Sequence, residues 1–318
     1  MRFALMIEPQ QGLTYAEQLA IARRAEARGF ETLFRSDHYD SFPGGSGAPT
    51  TDAWAVLAGL ARETSTIRLG TLVSPVLFRT PGNLAKVAAT VDEMSGGRLE
   101  VGVGAGWHAH EHEGHGFPFP PVGERADRLE EALEILRGLW DGPDGWSFEG
   151  RHYTVKDALF RPKPASLEAR QGRRPNLITG GTGTPRGFRI GARYADEFNL
   201  SSSGPEAAAA KFAALDEACR AIGRDPATLT HSVMAGVLIG RDRDEVAERE
   251  RAMLEVFGGD DDSGEWLDER RGRWIHGTPD RARAAAARFA AAGAERLMLQ
   301  DFLPRDLEMI DLMAEALF

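Results

Sequence analysis

The chain has 318 residues, 42% hydrophobic and 27% charged, a balance ordinary for a soluble globular protein. A formal net charge of −10 argues against a polyanion-binding surface, so no nucleic-acid partner is expected. The single cysteine, Cys219, excludes an intrachain disulfide, and no apolar run approaches the ~18 residues needed to span a bilayer. No membrane association is expected. The opening run MRFALMIEPQ is too short in apolar residues for a secretory signal, and a cytoplasmic location follows as the expectation.

Arg2 to Ile7 reads as a first strand that ends at Glu8-Pro9. Thr14 to Arg28 reads as a helix, with Thr14 and Glu17 at capping-box spacing and Gly29 as its stop. Glu31 to Arg35 is a second strand, followed by Ser36-Asp37-His38-Tyr39 and a Gly/Pro/Ser loop. Asp52 to Glu63 is an apolar helix. Ile67 to Val73 is a third strand ending at Ser74-Pro75, and Pro81 to Met94 is a helix opened by proline. Leu99 to Val103 is a fourth strand. Beyond it, Gly104, Ala105 and Gly106 offer little or no side chain to keep a ligand off the backbone. Trp107 follows, then His108, His110, Glu111, His112 and His115.

Glu124 to Trp140 reads as an amphipathic helix, with Leu129, Leu133, Leu136 and Trp140 on one side. The rhythm then breaks. Residues 141–171 hold a predicted hairpin (Trp146–Phe148, His152–Val155) and read as an insertion. Asn176 to Thr179 is a fifth strand, ending in Gly180-Gly181-Thr182-Gly183, with a helix starting near Pro185. Glu197 to Leu200 is a sixth strand, ending in three serines; Glu206 to Ile222 is helical and packs Cys219 as a core residue. Ser232 to Ile239 is a seventh strand. A charged segment, Arg241 to Arg273, reads as irregular, with a mobile loop expected over about 258–272. Pro279 to Ala292 is helical, Arg296 to Leu299 is an eighth strand, and Leu307 to Leu317 is a final helix.

Eight strands alternating with helices predict a parallel α/β architecture, and the count favours one closed (β/α)8 TIM barrel over residues 1–318. A doubly wound open sheet is the alternative. In a barrel the strand C-termini share one face, and that face carries the chemistry. Glu8, Asp37, His38, Gly104 to His110, Gly180 to Gly183 and the serines at 201–203 would meet there.

Gly180-Gly181-Thr182-Gly183, between a strand and a helix start, suits a phosphate, because free N–H groups and a hydroxyl converge on bare backbone; a tight turn is the other reading. Asp37-His38 sets a carboxylate beside an imidazole, able to relay a proton near neutral pH or simply to pair within a loop. Glu8 suits a substrate contact or a strand terminator. The histidine run contains no His-Glu-x-x-His pattern, and Asp260-Asp261-Asp262 lacks an EF-hand pattern, so no metal site is expected.

Several blocks occur together and in order: SDHY at 36–39, LGTLVSPVLFRTP at 69–81, GGRLEVGVGAGWHAHEHEGHGFPFP at 96–120, ERADRLEEALEIL at 124–136, the GGTG run, and YADEFN. With them the chain resembles the bacterial luciferase-like superfamily. More closely, it is similar to the branch that uses coenzyme F-420 (F420), an 8-hydroxy-5-deazaflavin. The resemblance implies a luciferase-like barrel with the ring across the strand C-termini. It implies a non-prolyl cis peptide at Leu72-Val73 behind that ring, His38 as acid/base, and Asp37 near the ring. Gly104, Ala105, Gly106, Trp107 and His110 would line the cofactor's chain, and Gly180, Gly181, Thr182 and Gly183 would hold its phosphate. In related sugar-phosphate dehydrogenases a glutamate follows the glycine motif as proton donor; Trp107 stands there in this chain, which argues against that reaction. Glu8 and Trp107 would then face a small-molecule substrate.

The resulting expectation is an F420-dependent oxidoreductase, served by a separate reductase and assembled as a homodimer through the helices at 52–63 and 81–94. The segments at 141–171 and near 258–264 would cover the site. A reduced-FMN monooxygenase of the same fold is the alternative; a non-redox ligand-binding barrel or a metal hydrolase is a further one.

Overall fold

The computed structural model describes residues 1–42, 47–169, 174–257 and 263–318. Eight parallel strands run through them: β1 (Arg2–Ile7), β2 (Thr32–Arg35), β3 (Arg68–Pro75), β4 (Leu99–Gly104), β5 (Asn176–Gly181), β6 (Glu197–Ser201), β7 (Thr230–Ile239) and β8 (Arg296–Asp301). Each pairs with the next, and β8 pairs back onto β1, so the sheet is a closed (β/α)8 barrel. A short strand, Ile275–Gly277, adds to the end of β7 outside this circuit.

The local signals in the sequence act as their chemistry requires. Thr14 accepts from the Glu17 N–H while Glu17 accepts from the Thr14 N–H, a complete capping box at the start of helix Tyr15–Ala27. The Asp52 side chain caps helix Ala53–Glu63 by accepting the Ala55 N–H at 2.8 Å. Proline opens the helices at Pro81, Pro185, Pro205 and Pro279, where its missing N–H costs nothing. The helices Ala53–Glu63 and Pro81–Ser95 turn Trp54, Leu57, Leu60, Leu84, Ala88 and Val91 into the subunit core, and leave Asn83, Thr90 and Glu93 outside.

Inside the barrel the side chains form layers. At the N-terminal end the buried Arg296 guanidinium bonds Glu100 at 2.8 Å and Glu197 at 3.0 Å, while Asn176 donates to both carboxylates. Arg68 adds a second cation on Glu100 at 2.8 Å. Burial opposes the Glu100 charge, but the two guanidiniums outweigh it and hold that carboxyl well below the usual range; burial and the Glu100 charge push Glu197 up. Above this plug lies an apolar layer of Ala4, Met6, Phe34, Leu72, Ile178 and Met298. A ligand therefore enters only from the opposite, C-terminal end.

Two expectations change here. The 141–171 segment forms the hairpin (Trp146–Glu149 with Thr154–Ala158), but it does not roof the barrel mouth. Trp146 packs where Gly138 has no side chain, and Glu131 accepts the N–H groups of Arg151, His152 and Tyr153. The hairpin is thereby fixed to the outside of helix Val122–Asp141. The segment then runs to the N-terminal side, where the Ser166 N–H donates to Asp92 at 2.6 Å. The charged stretch 241–273 is also more ordered than its composition predicts. Arg243–Phe257 and Ser263–Arg271 are helices, so the expected loop over 258–272 is helical from Ser263 to Arg271; residues 258–262 lie outside the described residues. A few apolar residues anchor these helices: Val246, Met253 and Leu267 pack with Leu238 and Trp274 above the ends of β7 and β8.

Candidate active site

The strand register puts the candidate residues on one rim. Ile7 is level with Arg35 and with Asp301, Pro75 with Gly104, and Gly181 with Leu200. The segments that follow these positions carry Glu8, Asp37-His38, Gly104 to Trp107 and Gly181 to Gly183.

His38 is partly buried, with 11% of its side chain accessible. Its Nδ1 lies 2.9 Å from Glu111 Oε1, and Glu111 also accepts the Tyr39 N–H at 3.0 Å. Burial alone would raise the Glu111 carboxyl, but the His38 hydrogen bond, the His38 charge and the Tyr39 N–H together hold it below the usual range. A carboxylate at Nδ1 keeps the proton there and leaves Nε2 as the acceptor. Among the described residues no protein group bonds Nε2.

Asp37 is not the partner of His38. Its Oδ2 accepts from Ser74 Oγ and Arg79 Nη1, each at 2.7 Å, and Arg79 is also paired with Asp52. The adjacent positions of Asp37 and His38 point their side chains into different contacts. Asp37 Oδ1 is buried without a hydrogen-bond partner. Glu8 accepts from Gln10 at 2.8 Å and Gln300 at 2.6 Å, and Ser36 donates to Gln10. Its carboxylate is thus largely engaged by protein.

The Leu72-Val73 peptide is cis, and the β3–β4 register shifts between Thr71 and Ser74. Leu72 joins the apolar layer, and Val73 packs against that layer. This alters the meaning of the glycines in β4. A Cβ on Gly104 would sit 2.6 Å from Val73 Cγ2, and one on Gly102 would meet the Thr71 carbonyl. These two glycines make room for the β3 bulge. Gly106, at φ 79°, turns the chain past His112 and Pro75.

The β5 glycines behave differently. Gly180 is bare because the Asn199 carbonyl lies against it, whereas Gly181 (φ 154°) has open space where a side chain would project. Thr182 is exposed, and Thr184 caps helix Pro185–Tyr194 through the Gly187 N–H. Lys211, which the sequence did not single out, runs past Gly183 and places Nζ 2.9 Å from Ser203 Oγ. Open backbone, a helix N-terminus and a cation converge, the donor set an anionic phosphate requires.

Trp107 is 64% exposed and lies among His38, Phe42 and His108, with ring centroids 5.9, 5.4 and 5.1 Å away. Ala105 is half-buried beneath it. His110 turns outward, 80% exposed, and meets Asp40 Oδ2 at 2.8 Å. His112 is buried among Phe78, Phe117 and Phe119; desolvation lowers its basicity, so it serves as neutral scaffolding.

Comparison with known proteins agrees with this architecture. Residues 1–307 match the luciferase-like monooxygenase family. An F420-dependent glucose-6-phosphate dehydrogenase of Microbacterium testaceum is 32% identical over 204 residues, 63% of this chain and 57% of that protein. The match thus spans little more than half of that relative. An F420-dependent secondary alcohol dehydrogenase, solved with an F420–acetone adduct, superposes with a TM-score of 0.83 over 99% of this chain and 98% of the other, at 23% identity. A monooxygenase from Streptomyces bottropensis superposes at 0.81 over 100% and 98%, at 22% identity. Among the described residues no helix is long and apolar enough to cross a membrane. The chain belongs to the luciferase-like monooxygenase family.

Proposed function

We propose that this protein is an oxidoreductase that binds coenzyme F420 and exchanges a hydride between the deazaflavin and a small organic substrate. One observation carries the reading: the same rim holds an imidazole oriented by Glu111, whose Nε2 has no protein partner among the described residues, and open backbone at Gly181 ahead of a helix N-terminus. The 32% identity to an F420-dependent dehydrogenase supports it.

The residues present fit this cofactor. Gly181, Thr182, Gly183 and Lys211 would hold the phosphate, Val73 would back the ring, and the free Asp37 oxygen would accept a ring donor. When bound, the deazaflavin supplies or takes up the two electrons of a hydride at C5. The protein supplies the proton. His38 Nε2 would give a proton to a substrate oxygen in the reducing direction and take one from it in the oxidising direction. Glu111 stabilises the imidazolium and fixes its orientation throughout. A separate enzyme that restores the cofactor's starting redox state would complete the cycle.

Trp107 and Phe42 present aromatic faces beside His38, and we infer a substrate other than a sugar phosphate. Fluorescence titrations of the apo-protein with F420 and with FMN test the cofactor assignment. Saturable F420 binding tighter than FMN binding is the expected result. Tight FMN binding with no F420 binding would overturn it in favour of a flavin monooxygenase.

A further inference from the structure

We propose that Asp40, His108 and His110 form a binding site for a divalent transition-metal ion, Zn2+ in the first instance, on the outer rim of the barrel mouth. One ligand atom from each side chain lies within 4.8 Å of the other two. His110 Nδ1 is already 2.8 Å from Asp40 Oδ2.

Local backbone geometry makes the grouping possible. In a regular helix, side chains two positions apart point away from each other. His108 is the residue before helix Ala109–Gly114 and is extended, at φ −90° and ψ 94°, so its ring turns to the side that His110 occupies. Asp40 comes from the segment after β2 and closes the set from a different element. His115 stands beside the carboxylate, with Nδ1 3.8 Å from Asp40 Oδ1, and bonds the Glu111 carbonyl at 3.1 Å. Phe42 packs on the His108 ring at 4.9 Å between centroids and limits its rotation.

The donor set selects the class of ion. Two imidazoles and one carboxylate suit Zn2+, Co2+ or Ni2+; Mg2+ and Ca2+ prefer all-oxygen sites. Three protein ligands leave at least one position for water, and the exposure of His110 (80%) keeps that position open to solvent. Zn–N and Zn–O bonds of about 2.0–2.2 Å require the three groups to draw together by small side-chain rotations, which exposed His110 allows. The site is outside the proton-transfer pair, yet the His108 ring is 6.5 Å from His38 and 5.1 Å from Trp107. A bound ion would tie the segment that carries Trp107 to the β2 end of the mouth.

The test is independent of any cofactor. Chelator-treated apo-protein is titrated calorimetrically with ZnCl2, and with CoCl2 under visible absorption. Saturation at one ion per chain is expected, with d–d bands from bound Co2+. Asp40→Asn and His110→Ala should each weaken Zn2+ binding by at least about tenfold. His110 is exposed and Asp40 is half-buried, and circular dichroism of the variants establishes that they fold. No saturable binding in the wild type, or wild-type affinity in both variants, would overturn the site.

Discussion

Glu111 grips His38 from a position 73 residues along the chain, at 2.9 Å from Oε1 to Nδ1, and leaves the opposite ring nitrogen without a protein partner among the described residues. The contact joins the turn after β2 to the short helix after β4. It converts an ordinary imidazole into one with a fixed orientation and an anionic neighbour.

From this contact, His38→Ala should lower kcat by about 10²–10⁴-fold while F420 affinity changes far less, because proton transfer is lost and the cradle is untouched. Added imidazole should restore part of the turnover. Glu111→Gln should lower kcat by about 10–100-fold, since the neutral amide no longer steadies a positive imidazole and its NH2 can bond Nδ1 only in the opposite tautomer. Steady-state kinetics beside a fluorescence titration separates the two effects. A parallel collapse of F420 binding in His38→Ala would make His38 a binding residue.

The β4 and β5 glycines should separate in the opposite sense. Gly102→Ala drives a methyl into the Thr71 carbonyl and to 3.0 Å from Val73 Cγ1. Overpacking against backbone costs about 1–3 kcal/mol, so a lower Tm is expected even without cofactor. Gly181→Ala meets open space, but its φ of 154° is one that residues with side chains rarely adopt, so some loss of Tm is expected here too, and its distinguishing effect should appear as weaker F420 binding. Undiminished affinity in Gly181→Ala would remove the phosphate from that cradle.

These contrasts show what was legible in the sequence. The barrel was, because each strand end announces itself: Ile7 before Glu8-Pro9, Thr179 before two glycines, Leu200 before three serines. Caps such as Thr14 and Asp52 act within three residues, so pattern alone reveals them. Contacts between distant segments leave no such trace. Nothing near Asp37 shows that Arg79 and Ser74 will claim it, and nothing near His38 names Glu111. Gly104 reads the same whether it makes room for a ligand or for Val73; only the third dimension decides. The helices Arg243–Phe257 and Ser263–Arg271 were hidden because a few buried residues suffice to anchor an otherwise charged surface.

Lys211 offers a test of the phosphate cradle that leaves the backbone alone. Its ammonium reaches Ser203 at 2.9 Å, beside Gly183. A charged hydrogen bond contributes about 1.5–3 kcal/mol, so Lys211→Met should weaken F420 binding by about tenfold or more. Part of the wild-type affinity should also fade with added salt, and that dependence should flatten in the variant. Equal affinity and equal salt response in both proteins would place the phosphate elsewhere.

Asp301, at the end of β8, gives the fold a pH dependence of unusual sign. Burial pushes its carboxyl from 3.8 up to about 7; the Leu303 N–H opposes the rise and the Asp306 charge adds to it. One oxygen has no hydrogen-bond partner. Between those two pH values the folded chain keeps a proton that the unfolded chain releases, so the proton favours folding. Stability from this group is therefore greatest below pH 3.8 and is lost as pH rises to about 7. At about 1.36 kcal/mol per pH unit the loss amounts to about 4 kcal/mol at most. Asp301→Asn cannot ionise and should lose this slope, so the drop in urea midpoint from pH 5 to pH 8 should be smaller in the variant than in the wild type. An identical drop in both proteins would mean that Asp301 is ionised in the folded chain, with Arg249 as its counter-charge.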